Sequence, residues 1–352
     1  MPSHKIDQSV IASFMENMAT SEEQRRKIKT IFRASAIRTR YSVLEDYGRE
    51  KDFTFFPNTA GMNPFPGTAS RMQAFREHAV SLSLAAIQDC GGNYFPETND
   101  VTHLITVSCT GMYAPGLDVD LVNQLPLPSS VSRTGINFMG CFAAISAIKA
   151  ADAFCIADPK AKVLIVCTEL CSLHFQKNFT DDNILANALF ADGAAALMVQ
   201  AQPVSGASLS IEGFYSDILI NGAEHMAWTI GDLGFEMKLS SYVPEVLSQG
   251  MRSLVNNLTQ KTNTDSSGIS HYAIHPGGKK ILDSAAAELE IPKEKLKESY
   301  QVLREYGNMS SATILFVLKR ILANGNIQKY DRILGMAFGP GITMESVLLK
   351  VE

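Results

Sequence analysis

Gly140-Cys141-Phe142-Ala143-Ala144-Ile145-Ser146-Ala147-Ile148-Lys149-Ala150-Ala151-Asp152-Ala153-Phe154 reads as a helix built almost wholly of small residues and opening on a cysteine. Small side chains let other backbone approach from every side, so such a helix belongs in a deep interior. A cysteine in its first turn would sit in the field of the helix N-terminus, which favours a thiolate. The chain around it has 352 residues, 46% hydrophobic and 19% charged, enough for one large or two medium domains with an ample core. The net charge of −5 speaks against a nucleic-acid protein.

Working outward, the apolar runs His103–Ser108, Lys162–Thr168 and Gly193–Val199 read as strands. Helices are expected near 70–90, at Leu117–Leu125 and at Ile184–Phe190. The segment Val131–Phe138 leads into the small-residue helix. The second half repeats this order. A helix near 243–261 precedes a strand, His271–Ile274, which stops at His275-Pro276-Gly277-Gly278. Tyr306-Gly307-Asn308-Met309-Ser310-Ser311 opens a helix at Ala312–Leu322. Two β-patterns, Arg332–Phe338 and Thr343–Lys350, flank Gly339-Pro340-Gly341-Ile342. Alternating strands and helices argue for α/β layers, and the parallel order of the halves hints at duplication. The polar connection Gln202–Ser208 is the expected boundary, dividing 1–205 from 206–352.

Residues 7–47 read as a helical entry region, with Ser21 and Gln24 spaced as a capping box. Arg25, Arg26, Lys27, Lys29, Arg33, Arg38 and Arg40 place seven positive charges in sixteen residues. This is either a solvated helix face or a dock for a polyanion such as a phosphorylated nucleotide carrier. No run approaches the ~18 apolar residues of a membrane span. The first residues carry no apolar signal segment. The six cysteines, Cys90, Cys109, Cys141, Cys155, Cys167 and Cys171, lack paired or framework spacing. They are expected as free thiols in a reducing cytoplasm, five of them as small core hydrophobes.

Cys141, His275 and Asn308 each stand where an element begins or ends, the usual gathering place of an α/β site. A Cys–His pair can settle as thiolate–imidazolium and attack a thioester carbonyl. His275 and Asn308 can donate hydrogen bonds to an oxygen that gains charge. Read alone, each is also an ordinary core or capping residue. The order Cys…His…Asn admits a papain-type hydrolase, disfavoured by the mid-chain Gly-Cys-Phe-Ala-Ala context, or acyl transfer with carbon–carbon bond formation.

Gly140-Cys141-Phe142-Ala143-Ala144, Ala188–Ala196, His275–Gly278, Tyr306–Ser311 and Ala337-Phe338-Gly339-Pro340-Gly341 together resemble type III polyketide synthases, the chalcone and stilbene synthase superfamily, in a bacterial-type form. The motifs occur in the family's order across residues 25–350. Ketoacyl-ACP synthase III is the alternative. It usually carries His-Gln-Ala-Asn and Gly-Asn-Thr-Ser where this chain has His-Pro-Gly-Gly and Gly-Asn-Met-Ser. HMG-CoA synthases need a Glu acid/base that the pattern does not supply. A non-catalytic thiolase-fold protein that binds acyl-CoA or a partner enzyme would not need all three residues.

The resemblance implies a thiolase-like αβαβα five-layered fold with internally duplicated halves, assembled as a cytoplasmic homodimer. It implies an acyltransferase that uses an acyl-CoA starter and malonyl-CoA as substrates, with no metal or organic cofactor. Cys141 would carry the acyl chain. His275 and Asn308 would hold malonyl-CoA as it loses CO2, and Phe190 would gate the cavity. Phe235, Cys109, Thr110, Cys171, His174, Met226, Ser310, Gly339, Pro340 and Gly341 fall on cavity positions. Lys27 falls on a CoA-gripping position, two others being Thr30 and Ala34. Lys29, Arg33, Gly277, Gly278 and Lys280 are the further CoA-binding residues expected. Ala114 stands where plant enzymes carry a Met that reaches into the partner's cavity. Met226 should narrow the pocket and Ala114 open it. Ring closure to a pyrone, resorcinol or related aromatic is expected. Fatty-acyl starters lead and malonyl-only chemistry is second.

Overall fold

The computed structural model describes residues 1–91, 100–203, 208–222 and 224–352. The 205/206 boundary expected from sequence lies outside these residues. The entry region is not purely helical. A strand pair, β1 (His4–Asp7) and β2 (Thr39–Ser42), encloses α1 (Gln8–Glu16) and α2 (Glu22–Ala34). The start of α2 is capped as expected by Ser21, which accepts from the Gln24 amide, but Gln24 Oε1 accepts in return from the Thr20 N–H.

Next come α3 (Thr68–Gly91), β3 (His103–Ser108), α4 (Leu117–Gln124), β4 (Ser132–Asn137), α5 (Ala143–Ala157), β5 (Lys162–Leu170), α6 (Asp181–Leu189) and β6 (Asp192–Gln200). The second half holds β7 (Leu209–Ile218), β8 (Met226–Gly231), β9 (Gly234–Leu239), α7 (Val243–Lys261), β10 (Ile269–Ile274), α8 (Lys279–Glu288), α9 (Lys297–Tyr306), α10 (Thr313–Ala323), β11 (Arg332–Gly339) and β12 (Thr343–Val351). The hairpin β8–β9 and strand β7 had no clear pattern in the sequence. The residues of β7 are mostly half-buried and β8 grades from buried to exposed, while β9 does alternate apolar and polar residues from Phe235 to Leu239 but only over five positions.

Two four-stranded sheets, ordered β4-β3-β5-β6 and β10-β11-β12-β7, form the frame. In the first, β3 runs parallel to β5 and β6 antiparallel to β5. In the second, β10 runs parallel to β11 and β12 antiparallel to β11. The duplication hinted at by element order therefore holds for three strands of each sheet, while the fourth differs, β4 pairing parallel with β3 and β7 antiparallel with β12. Helices α5 and α10 lie between the sheets, α3 covers one outer face and α7 with α8 the other. The result is the α, β, α, β, α layering that the resemblance implied.

The small residues of α5 follow from this position. Ala143, Ala144, Ala147 and Ala151 are all 0% exposed, packed among apolar side chains of both sheets. A larger side chain there would have to push the layers apart, at a cost of about 1–3 kcal/mol. Strand β5 is buried along nearly its whole length, as its unbroken Val163–Cys167 run requires in a strand covered on two faces.

The helix does not open on the cysteine. Its first helical residue is Ala143 with Phe142 as the flanking residue, so Cys141 lies in the turn before it. Asn308 likewise precedes α10 by five residues. The halves meet close by: Asn308 N–H donates to Leu189 O (2.9 Å) and Ala191 N–H to Asn308 O (2.8 Å).

Candidate active site

Four turns converge on one cavity. Gly140 leads into Cys141 at φ +82°, and a Cβ there would lie 2.2 Å from Pro340 Cδ. Only glycine allows both the left-handed backbone and the close approach of the Gly339-Pro340-Gly341 loop. Its N–H donates to Cys109 Sγ at 2.9 Å. His275 follows the last residue of β10, with its backbone N–H donating to Met336 O at 2.8 Å. Asn308 follows Gly307, which has φ +72°.

The side chains of Cys141, His275 and Asn308 line the same cavity, with about 620 Å³ of empty space counted out to its mouth. Asn308 Oδ1 accepts from the Ser310 N–H (2.9 Å) and from Thr313 Oγ1 (3.4 Å). These donors orient the amide, whose Oδ1 and Nδ2 lie 3.8 Å and 3.9 Å from Cys141 Sγ, with Nδ2 also 3.5 Å from Gly277 O. His275 is 1% exposed, and neither ring nitrogen has a partner among the described residues. An imidazole so placed has its hydrogen-bonding capacity free for whatever enters.

The thiolate expected from the helix N-terminus is not the resting state. Cys141 is partly exposed, but its exposed face looks into an enclosed cavity. Withdrawal from water pushes its thiol up to about 12, with hydrogen bonds from Ser310 and Asn308 lowering it and the Glu169 carboxylate raising it further. Burial holds His275 down to about 3. Both groups rest neutral, because desolvation of each charged form outweighs the helix field.

Other expected residues separate into groups. Cys109, Thr110, Cys171, Phe190, Met226, Gly277, Ser310 and Pro340 share the cavity of Cys141. His174 and Phe235 do not. They line a neighbouring cavity of about 590 Å³ that shares Cys171, Phe190, Trp228 and Met237 with the first. His174 Nε2–H donates to Thr110 O (2.7 Å), and its Nδ1 accepts from Phe235 N–H (2.9 Å). Its ring stacks on Phe235 at 4.2 Å and 8°. It is a fully satisfied core histidine, held by burial down to about 3.

Gly339, Gly341 and Gly278 are not cavity-lining and act through the turns they form. Lys27 pairs with Asp181, and Lys29 with Glu16. Arg33 and Lys280 are exposed. Of the five cysteines expected in the core, Cys90 is exposed at the end of α3, and Cys155 is half-buried near the C-terminal end of α5, packed against the edge of the central core.

Three residues that the motifs passed over shape the site. Glu169 on β5 is fully buried under the cavity floor and accepts from Cys109 N–H, Thr110 Oγ1 and Ser311 Oγ. Burial raises its carboxyl above the usual range despite those donors. A lone acid in an otherwise apolar strand was its signal. Trp228 Nε1 donates to Cys109 O at 2.7 Å and, with Met237, walls the cavity from the β8–β9 hairpin. Neither sits in a short motif.

Residues 1–203 match the family model described as "Chalcone and stilbene synthases, N-terminal domain", and residues 212–352 the one described as "Chalcone and stilbene synthases, C-terminal domain". "Alpha-pyrone synthesis polyketide synthase-like Pks18" of Mycobacterium tuberculosis is 30% identical over 358 residues, covering 99% of this chain and 88% of that protein. "Probable polyketide synthase 1" of Dictyostelium discoideum is 30% identical over 97% of this chain, which spans only 11% of that protein's length. The crystal structure of 1,3,6,8-tetrahydroxynaphthalene synthase from Streptomyces coelicolor superimposes with a TM-score of 0.89 at 29% identity, covering 99% of this chain and 96% of that one.

Proposed function

The chain belongs to the chalcone and stilbene synthase family, and from that premise we propose that it is a type III polyketide synthase working through Cys141, His275 and Asn308. The observation that carries this reading is their convergence on one largely apolar cavity, with both His275 nitrogens unpartnered among the described residues and the Asn308 amide within 4 Å of Sγ.

Cys141 starts as a thiol. His275 takes its proton as sulfur attacks the carbonyl of an acyl-CoA, and the CoA thiolate leaves with that proton. Malonyl-CoA then binds with its thioester oxygen between His275 and Asn308. The bond to the carboxylate breaks, CO2 departs and the electron pair moves onto the thioester as an enolate. Two neutral donors stabilise that oxygen without a base, each worth about 2.7–4 kcal/mol. The enolate carbon attacks acyl-Cys141 and expels the thiolate. Repetition builds a poly-β-keto chain that closes to a pyrone, resorcinol or related aromatic.

CoA thioesters are the substrates of this reaction, and no cofactor is required. Lys27, Lys29, Arg33, Gly277, Gly278 and Lys280 receive the CoA at the cavity mouth. The chain acts in the cytoplasm as a homodimer, and no helix among the described residues is long and apolar enough to cross a membrane. Fatty-acyl starters remain the leading class. The apolar wall of Met226, Trp228, Met237 and Leu239 supports them.

Purified protein incubated with malonyl-CoA and a panel of starter CoAs, with mass detection, tests the reading. Polyketide should form with native chain, and Cys141→Ala should abolish condensation while still releasing CO2. A native chain that forms neither CO2 nor polyketide, with Cys141 still labelled by iodoacetamide, rules the activity out.

A further inference from the structure

Arg40 is 5% exposed, and among the described residues no carboxylate lies within ion-pair distance of it. The Asp192 carboxylate favours the charge from beyond that distance, but burying a guanidinium with no directly paired carboxylate costs several kcal/mol, so packing alone does not account for it. One guanidinium nitrogen is spent on backbone, while Nε and Nη2 have no hydrogen-bond partner among the described residues. Nη1 donates to Asn187 O (2.8 Å) and also to Phe190 O, at the C-terminal end of α6, where a cation complements the exposed carbonyls. Burial lowers Arg40 only to about 10, so the cation persists at neutral pH.

These two carbonyls flank Leu189, whose own carbonyl accepts the Asn308 N–H (2.9 Å), and Ala191 N–H returns a bond to Asn308 O. The Arg40 stem also lies against Gly307. A Cβ on Gly307 would stand 2.9 Å from Arg40 Cγ and Cδ and 3.0 Å from Leu189 O. One side chain thus holds the turn that carries Phe190 and touches the turn that presents Asn308.

We propose that Arg40 is a positioning residue for decarboxylation: its grip on Asn187 O and Phe190 O, with its stem against Gly307, sets the Asn308 amide relative to the thioester oxygen. The inference rests on the synthase reading above. Both bonds come from Nη1; a lysine retains the charge but lacks the rigid guanidinium plane that holds this nitrogen between the two carbonyls. Displacements of about 1 Å in such a site cost on the order of 10²-fold.

The test uses Arg40→Lys and Arg40→Met, each alone and combined with Asn308→Ala. It measures malonyl-CoA decarboxylation, iodoacetamide labelling of Cys141 and thermal melting. For the single variants, kcat should fall about 10- to 100-fold with KM and Cys141 labelling unchanged. In the Asn308→Ala background Arg40→Lys should have no further effect, since the two act through one group. Gly307→Ala, which drives a methyl against the same stem, should reproduce the loss in kcat.

Equal losses with and without Asn308, a parallel loss of Cys141 labelling, or full kcat in both Arg40→Lys and Gly307→Ala would overturn the inference. Failure of the unsubstituted chain to release CO2 would instead refute the activity itself.

Discussion

Replacing His174 by glutamine should flatten the loss of stability on acidification. The folded ring carries its proton on Nε2, which donates to Thr110 O, while Nδ1 accepts from Phe235 N–H. A second proton would have to sit on Nδ1, facing a donor. Burial holds the group down to about 3 against 6.5 in the free chain. Below pH 6.5 the unfolded chain therefore binds a proton that the folded chain refuses, and stability falls with pH.

At pH 5 this amounts to about 2 kcal/mol from His174 alone, taking 1.36 kcal/mol per pH unit below the unfolded value. His275 adds a parallel loss. Asp192, raised to about 6, and Glu169, also raised, act in the opposite sense, because their carboxyls take up protons more readily when folded. The net slope is thus not diagnostic, but the difference between native and His174→Gln chains is. Denaturant unfolding at fixed protein concentration, at pH 7.5 and pH 5, should show the native chain losing about 2 kcal/mol more than the variant. Equal losses, to within about 0.5 kcal/mol, would refute the assignment of a neutral, doubly bonded His174.

Asn308→Ala should slow malonyl-CoA decarboxylation about 10²- to 10³-fold, the cost of one oxyanion donor. An unchanged CO2 release rate would remove the role given to it. Because His275 is already neutral well below its ordinary range, the decarboxylation rate of the Cys141→Ala chain should be flat from pH 8 to pH 5, read as acetyl-CoA formed. A Gly140→Ala chain combines a left-handed backbone with a 2.2 Å approach to Pro340, and should lose about 2–4 kcal/mol by denaturant titration along with most condensation activity. Trp228→Phe removes the bond to Cys109 O. It should cost about 1 kcal/mol and broaden the product mixture seen by mass spectrometry, since the cavity wall loses its tie to the floor.

Much of this molecule was readable along the chain because its signals are local. Buried strands such as Val163–Cys167 and the alanine face of α5 announce themselves by composition, and helix α7 was legible at both ends. The turns that present Cys141, His275 and Asn308 were legible because each needs glycine or proline beside a polar residue, a requirement of backbone geometry that no distant contact alters. What the chain order could not supply is whatever depends on a partner far away in sequence. Glu169 becomes a floor residue only because β5 brings it under Cys109 and Thr110. Trp228 becomes a wall only when the hairpin folds over the Cys109 carbonyl. His174, an open choice between cavity chemistry and core packing, was decided by two hydrogen bonds to residues 64 and 61 positions away. The protonation of Cys141 was decided in the same way. The helix field is local and points one way, but desolvation belongs to the whole surround of the sulfur, and in this cavity it is the larger effect.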